Sequence, residues 1–556
     1  MEALNLVLTS AFANNRLTVP ERHLKDQVAA WTAAHAGEFL EDLAAWIAVP
    51  SVSRPELAAP GAPFGPDVNI MLATAGATAA RYGLGVEFHD GYAVSVLGPE
   101  VPAAAGPSLG DIALVCHLDV VPAGDGWAQD PFTLRRVGDV LVGRGVFDNK
   151  GAALTALYVL RAAADLKLPL RHRLRLVLGG SEETAGMPDI RYYAAHAPLP
   201  RVSLVADGPF GANYAQQGMA MVDVDLPVGE RLATLAAGGA PNAIPGLAQV
   251  VLPARPGLAG LADWADFLGH AIQAAAGRLG FDPAWFAAVP ADAPSPGGVL
   301  VTVEGVAGHS SLPANARNPI PGLAAVLLEA GLLDDPTDIA TAQVLATMLS
   351  PDGSGIGMGE PVEGNLPLTM NGVIWPRDPG KPDQAGWTGR APLEGEPPYL
   401  RMRIDFRYPK HLTGPQLAEA VAAAIKPAGG QVVGLEDEPG FDSGRDGRLV
   451  RTLQQAFNDL VGVDYEPFAM GGGTHARLLP RAVSFGPDFW YLPEAAATVA
   501  GATSAPGAAP GAGGAHAVDE AVPYNHLLAA QQIYAVALTR LDTVLAATPP
   551  GGELEP

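Results

Sequence analysis

Asp111-Ile112-Ala113-Leu114-Val115-Cys116-His117-Leu118-Asp119-Val120-Val121-Pro122 decides how this chain is read, and Gly143-Arg144-Gly145-Val146-Phe147-Asp148-Asn149-Lys150-Gly151 completes the thought. The apolar run Ile112 to Cys116, bounded by turn signals, reads as a buried strand. His117 and Asp119 are two apart, so on an extended backbone both point to one face. They stand just past the strand's C-terminal end, where open α/β sheets bind ligands. An imidazole and a carboxylate there can hold a metal, or one can hold it while the other orients a base. Alone, a His-x-Asp is as readily an ordinary loop pair. The neighbouring sequence decides.

After Gly151 the apolar spacing changes to the helical period (Leu154, Leu157, Tyr158, Leu160), and that helix ends before Pro169. A strand over 173–178 then runs into Gly179-Gly180-Ser181-Glu182-Glu183. After another helix, a strand over 202–207 ends at Asp207. Upstream, Phe39, Leu43, Trp46 and Ile47 mark a helix over 26–48, followed by a Pro/Gly-rich loop over 50–66, a helix to about 80 and two short alternating strands within 85–98. Strands alternating with helices require crossover connections. The expected fold class is α/β, with a mixed, mostly parallel sheet and helices on both faces.

From Gly218 the texture changes. Short strands over 219–226, 299–304, 368–375 and 400–408 alternate with helices over 263–279, 319–332 and 414–426. This reads as an inserted α+β module, giving a first domain over 1–218, an insertion over 219–438 and a return over 439–556. The returning part carries a helix near 447–460, a glycine loop Gly471-Gly472-Gly473-Thr474-His475 and a strand over 482–486. Residues 494–514, mostly Ala, Gly, Pro, Thr and Ser, read as a mobile surface loop. His516-Ala517-Val518-Asp519-Glu520 follows, then a closing helix over 523–547.

A length of 556 residues is too long for one core, and 48% hydrophobic residues suffice for full burial. The net charge of −24 argues against nucleic acid and anionic membranes as partners, and suits a divalent-cation site. The single cysteine, Cys116, excludes a disulfide framework and a thiolate-rich metal site, and its place in the apolar run makes it an inert thiol. The N-terminal residues show no basic region or cleavage site, and no apolar run reaches the roughly 18–20 residues of a membrane span. A soluble cytoplasmic protein is expected.

A two-metal hydrolase needs a carboxylate bridging the ions, further ligands on each, and a free carboxylate to take a proton from the attacking water. The strand ends offer His117, Asp148, Glu183, Asp207 and a late histidine. Adjacent residues do not readily ligate one metal face, so one of Glu182 and Glu183 can bind while the other serves as general base. The same doublet also fits a solvated helix start.

Taken together, His117-Leu118-Asp119-Val120-Val121-Pro122, Gly124-Asp125-Gly126-Trp127, Pro131-Phe132, Gly143-Arg144-Gly145, Asp148-Asn149-Lys150-Gly151, Glu182-Glu183 and Asp207, in that order, resemble the di-zinc aminoacylase/glutamate-carboxypeptidase peptidases. Within them the chain is most similar to the bacterial PepV-type (Xaa-His or carnosine-type) dipeptidases. The resemblance spans nearly the whole chain and is best over 105–218. It implies two zinc ions per chain, with manganese or cobalt as possible substitutes. By that resemblance Asp148 bridges them, His117 and Asp207 complete one site, and Glu183 and His516 complete the other. Asp119 orients His117, and Glu182 is the general base and later the acid. A cis peptide is implied at Asp148-Asn149. The inserted module becomes a lid. Its His309, in Gly308-His309-Ser310-Ser311, polarises the scissile carbonyl, and its Asn242 and Arg407 help bind substrate. Gly472, Gly473 and Thr474 belong to a loop that meets the substrate's C-terminal carboxylate, for which the Arg407 fork is also suited.

Two departures stand out. His475 occupies a position where that branch often has tyrosine, and the Ala/Gly/Pro-rich insertion directly precedes His516. His516 is preferred to His475 as the late ligand because its motif is followed by an apolar helix. The expected activity is metal-dependent hydrolysis of dipeptides with free termini, by a monomer, with a dimer as the alternative. An N-acyl-amino-acid deacylase or aminoacyl carboxypeptidase is the alternative on the same fold, and a catalytically silent metal-binding protein is the remote one.

Overall fold

The computed structural model describes residues 16–101, 109–184, 186–238, 243–253, 261–279, 282–290, 298–310, 313, 316–361, 366–374, 398–489 and 514–548. The chain divides into two compact units, Met1–Ala215 with Asp442–Pro556, and Gln216–Phe441. Of the expectations above, Asn242 and nearly all of the low-complexity stretch (494–513) lie outside the described residues.

In the first unit the main sheet runs, side by side, Gly85–His89, Ala93–Leu97, Arg173–Gly179, Asp111–His117, Val202–Val205, Ala482–Ser484 and Asn213–Gln216. Its four central strands, Arg173–Gly179 to Ala482–Ser484, are parallel. Their neighbours on both sides are antiparallel. The sheet is therefore mixed, parallel where it matters for the site. Ile112 to His117 are all buried, as expected of a strand covered by helices on both faces. The register does the decisive work. His117 lies opposite Gly179, and the Ala206 N–H donates to the Val115 carbonyl at 2.8 Å. The C-terminal ends of three strands are thus level, and whatever follows them in sequence emerges at one edge.

Helix Lys150–Asp165, buried from Lys150 to Ala163, packs on strands Asp111–His117 and Arg173–Gly179. Helix Val19–Ile47 begins seven residues earlier than its apolar spacing suggests. Thr18 and Glu21 close its first turn, the Thr18 N–H donating to Glu21 Oε2 at 2.7 Å, and Pro20 sits in that turn where a missing N–H costs nothing. Arg540, on the closing helix Tyr524–Ala546, ties Glu21 (2.6 Å) to Asp459 of helix Arg448–Val461 (2.7 Å). A small three-stranded sheet, Ala521–Pro523 beside Val140–Val142 beside Arg135–Val137, has no counterpart in the sequence reading.

The second unit is built on an eight-stranded antiparallel sheet in the order Phe286–Pro290, Val299–Glu304, Leu247–Leu252, Ala236–Ala237, Thr369–Ile374, Tyr399–Tyr408, Gly218–Pro227, Gln431–Glu438. Helices Leu261–Leu279, Ile320–Glu329, Pro336–Met348 and Gly414–Ile425 share a separate apolar core with it. Among the described residues no helix is long and apolar enough to cross a membrane.

Candidate active site

The level strand ends bring His117, Glu182, Glu183 and Asp207 to one edge of the first unit's sheet, and the turn before helix Lys150–Asp165 adds Asp148. The Asp148-Asn149 peptide is cis. His117 Nε2 lies 3.0 Å from Asp148 Oδ1 and 4.0 Å from Asp207 Oδ2. On the other side, His516 Nε2 lies 3.3 Å from Asp148 Oδ2 and 2.9 Å from Glu183 Oε2. The two oxygens of one carboxylate therefore face two different imidazoles, each accompanied by a second carboxylate.

Asp119 is fully buried and does more than the sequence suggested. Its carboxylate lies 3.4 Å from His117 Nδ1, and its two oxygens accept the N–H groups of Glu182 and Glu183, each at 3.0 Å. One side chain thus sets the imidazole and the glutamate turn together. Asn149, to which no role was assigned, donates to the Ala206 carbonyl (2.9 Å) and Asp207 Oδ1 (3.2 Å).

The electrostatics follow from crowding acids away from water. Burial, and then Asp207, push the Glu182 carboxyl well above its ordinary value. Burial raises Glu183 to about 7 and Asp207 to about 6. Burial also works to raise Asp148, but His117 and His516 hold it below the usual carboxylate range. Hydrogen bonds to Asp148 and Glu183 lift His516 to about 10. No Lys or Arg is among the described residues lining the cleft.

Two ligand groups satisfy metal-holding geometry: His117 with Glu182 and Asp207, and His117 with Asp148 and Glu183, with donor atoms within 4.8 Å of one another. Imidazole and carboxylate donors converging without a protein cation are the chemistry of a divalent-cation centre.

The cleft is also lined by Gly473, Thr474, Met470, Pro487 and Leu527. Gly472 is exposed and is not among these lining residues. His475 turns away from the cluster. It is buried, its Nε2 lies 3.1 Å from Asp189 Oδ2, and its ring meets that of His117 edge-on at 6.3 Å. Asp189 in turn accepts the Ser181 N–H at 3.0 Å, so this pair joins the glycine loop to the turn carrying Glu182.

In the second unit the described backbone of His309 pairs with Ala243, the neighbour of Asn242. Arg407 is buried on strand Tyr399–Tyr408, and its Nη2 lies 3.4 Å from Asp405 Oδ2. Asp405 also accepts the Ser310 hydroxyl. Asn371, opposite Asp405, donates to the Ala243 carbonyl at 3.0 Å. A polar seam of Ser310, Asp405 and Asn371 thus links the segments bearing His309, Arg407 and Asn242 within that unit.

The sequence profile of Peptidase family M20/M25/M40 matches residues 113–540. The protein named "Putative dipeptidase YtjP" in Bacillus subtilis (strain 168) is 25% identical over 522 residues, 91% of this chain and 97% of its own. SH1171 of Staphylococcus haemolyticus (strain JCSC1435), named in the same words, is 25% identical over 467 residues, covering 82% and 90%. Among solved structures, the di-peptidase Dug1p from Saccharomyces cerevisiae aligns over 93% of this chain and 98% of its own, with a TM-score of 0.50 at 13% identity, a likeness of fold alone.

Proposed function

The chain belongs to peptidase family M20/M25/M40, and from that premise we propose that it is a metal-dependent dipeptidase acting on dipeptides with free amino and carboxyl ends. The observation that carries the metal reading is Asp148, whose two oxygens face His117 and His516 separately. Two zinc ions fit this donor set, His117 and Asp207 on one side, Glu183 and His516 on the other, with Asp148 shared; manganese or cobalt suits the same donors. When bound, such ions lower the pKa of water and polarise a carbonyl oxygen.

The protein's own residues do the rest. Glu182 is not needed as a ligand in that assignment, and the Asp119 carboxylate fixes its backbone. Its carboxylate takes a proton from the attacking water and returns it to the departing amine nitrogen. Thr474 and the Gly472-Gly473 backbone are assigned to the substrate's C-terminal carboxylate, shared with the Arg407 fork. His309 is assigned to the oxyanion, and Asn242 to substrate binding. The residues of the second unit thus measure the substrate while those of the first cleave it. The dipeptidase names of YtjP and SH1171 support this reading over deacylation.

The test is a panel of three compounds offered to zinc- or manganese-loaded protein: a free dipeptide, its N-acetyl form and a tripeptide. Cleavage of the free dipeptide alone is expected. Preference for the N-acetyl compound would replace the proposal with deacylation.

A further inference from the structure

We infer that Glu520 and Arg144 are positioning residues that fix Asp148 and His516 relative to one another, and thereby set the affinity for the cation those two would share. The inference rests on the two-metal reading above and adds residues that reading does not use.

Glu520 is fully buried, four residues after His516. Its Oε1 accepts the N–H groups of Phe147 at 2.8 Å and Asp148 at 2.9 Å. The Gly145 N–H reaches both oxygens, at 3.1 and 3.0 Å. Its Oε2 also accepts Arg144 Nη1 at 2.7 Å. One carboxylate therefore gathers the donors of the turn that ends in Asp148. Arg144 is equally buried and works in the opposite direction. Its Nη2 faces the carbonyls of Ala123 (3.4 Å) and His516 (3.5 Å), and its guanidinium lies 5.1 Å from the centre of the Trp127 ring. The pair clasps the backbone of Asp148 on one side and that of His516 on the other, across 376 residues of sequence.

The His516 turn has reason to need this. His516 sits at φ +61° and Asp519 at φ +52°, both in the left-handed region that non-glycine residues seldom occupy. Such conformations persist where the surroundings enforce them. His516 itself is more than half exposed, so packing on its side chain does not hold it. The anchors lie further along the turn: Glu520, the bond from Arg135 to Asp519 (2.8 Å), and the Gly143 N–H to Glu520 carbonyl bond (3.0 Å). A buried ion pair is not in general a better fold staple than apolar residues of the same size. This one commits its donors and acceptors to the backbones of two proposed ligands.

The test uses the full-length protein stripped of metal and titrated with zinc by calorimetry, with circular dichroism and thermal unfolding as checks on the fold. Glu520→Gln keeps the shape but sets an amide among donors. It is expected to stay folded and to weaken one of the two zincs by about 10- to 100-fold. In a His516→Ala background the same change is expected to add less than about twofold, because both substitutions act on one site. Arg144→Lys keeps the charge without the fork, and is expected to weaken the same zinc; it also decides the matter if Glu520→Gln does not fold. Two wild-type affinities in Glu520→Gln, or in Arg144→Lys where only that variant folds, overturn the inference, as does an undiminished loss in the His516→Ala background. Wild-type protein that takes up no zinc overturns the metal reading itself.

Discussion

Glu182 carries the heaviest chemical demand of any residue here. Removing its carboxylate should spare the ligands and stop the proton transfer. Glu182→Gln is expected to keep two zincs and to lose about 10²- to 10⁴-fold in kcat on a free dipeptide; near-normal turnover would refute the general-base role. The neighbouring carboxyls predict a pH dependence. In the metal-free protein Glu183 stands at about 7 and Asp207 at about 6, both raised above their ordinary values of 4.5 and 3.8. Groups raised on folding contribute stability that is complete below the unfolded value and is lost as pH rises through the folded one. The metal-free protein should therefore lose this contribution as pH rises from about 4 to 7. A cation needs the deprotonated forms, so zinc affinity should rise across the same window, with protons released on binding. Calorimetric titrations at several pH values, in buffers of different ionisation enthalpy, measure both. Affinity that is flat or falls with pH in that window would contradict the assignment of Glu183 and Asp207 as ligands.

At the scale of elements, the start of helix Lys150–Asp165 is the joint on which the site's geometry depends. Lys150 is fully buried, and its Nζ donates to the carbonyls of Trp46 (3.1 Å) and Val49 (2.6 Å), at the C-terminal end of helix Val19–Ile47. A cation there answers both the unpaired carbonyls and the helix dipole, although burial draws the ammonium's pKa down to about 7. Lys150→Met should cost about 1–3 kcal/mol by stranding those carbonyls, read as a lower denaturant midpoint at unchanged slope. A gain in stability would mean that relief of the buried charge outweighs the lost bonds. The elements also show where sequence reading succeeds and where it fails. Strand ends were legible because a parallel sheet places functional groups at its C-terminal edge, so His117, Glu182 and Asp207 announced themselves one strand at a time. The start of helix Val19–Ile47 was missed because its first turn has no apolar period, though Thr18 and Glu21 spelled a capping box. The strands Arg135–Val137, Val140–Val142 and Ala521–Pro523 are three residues each, too short for any periodicity. Glu520, Arg144 and Asp189 took their meaning from partners far away in sequence, so their role surfaced only with the fold.

At the scale of the whole molecule, one unit is discontinuous and the other is a single stretch with its own core. The first unit closes its own seam where the chain departs and returns, the Ser443 N–H donating to the Tyr214 carbonyl at 2.8 Å. It gathers the five proposed ligands and Glu182 from both of its segments, so the cluster exists only once both have folded. A chain with a net charge of −24 keeps His516 as the one exposed imidazole in a cleft of acids, an arrangement that repels anions and favours cations. The central claim is that this cluster is a two-cation centre for peptide hydrolysis. The most direct measurement strips the protein of metal with a chelator, returns zinc in known steps, and follows hydrolysis of a free dipeptide. Activity that is lost on stripping and climbs to a plateau at two zincs per chain is the predicted result. Full activity in the stripped protein, or a plateau at one zinc, would contradict it.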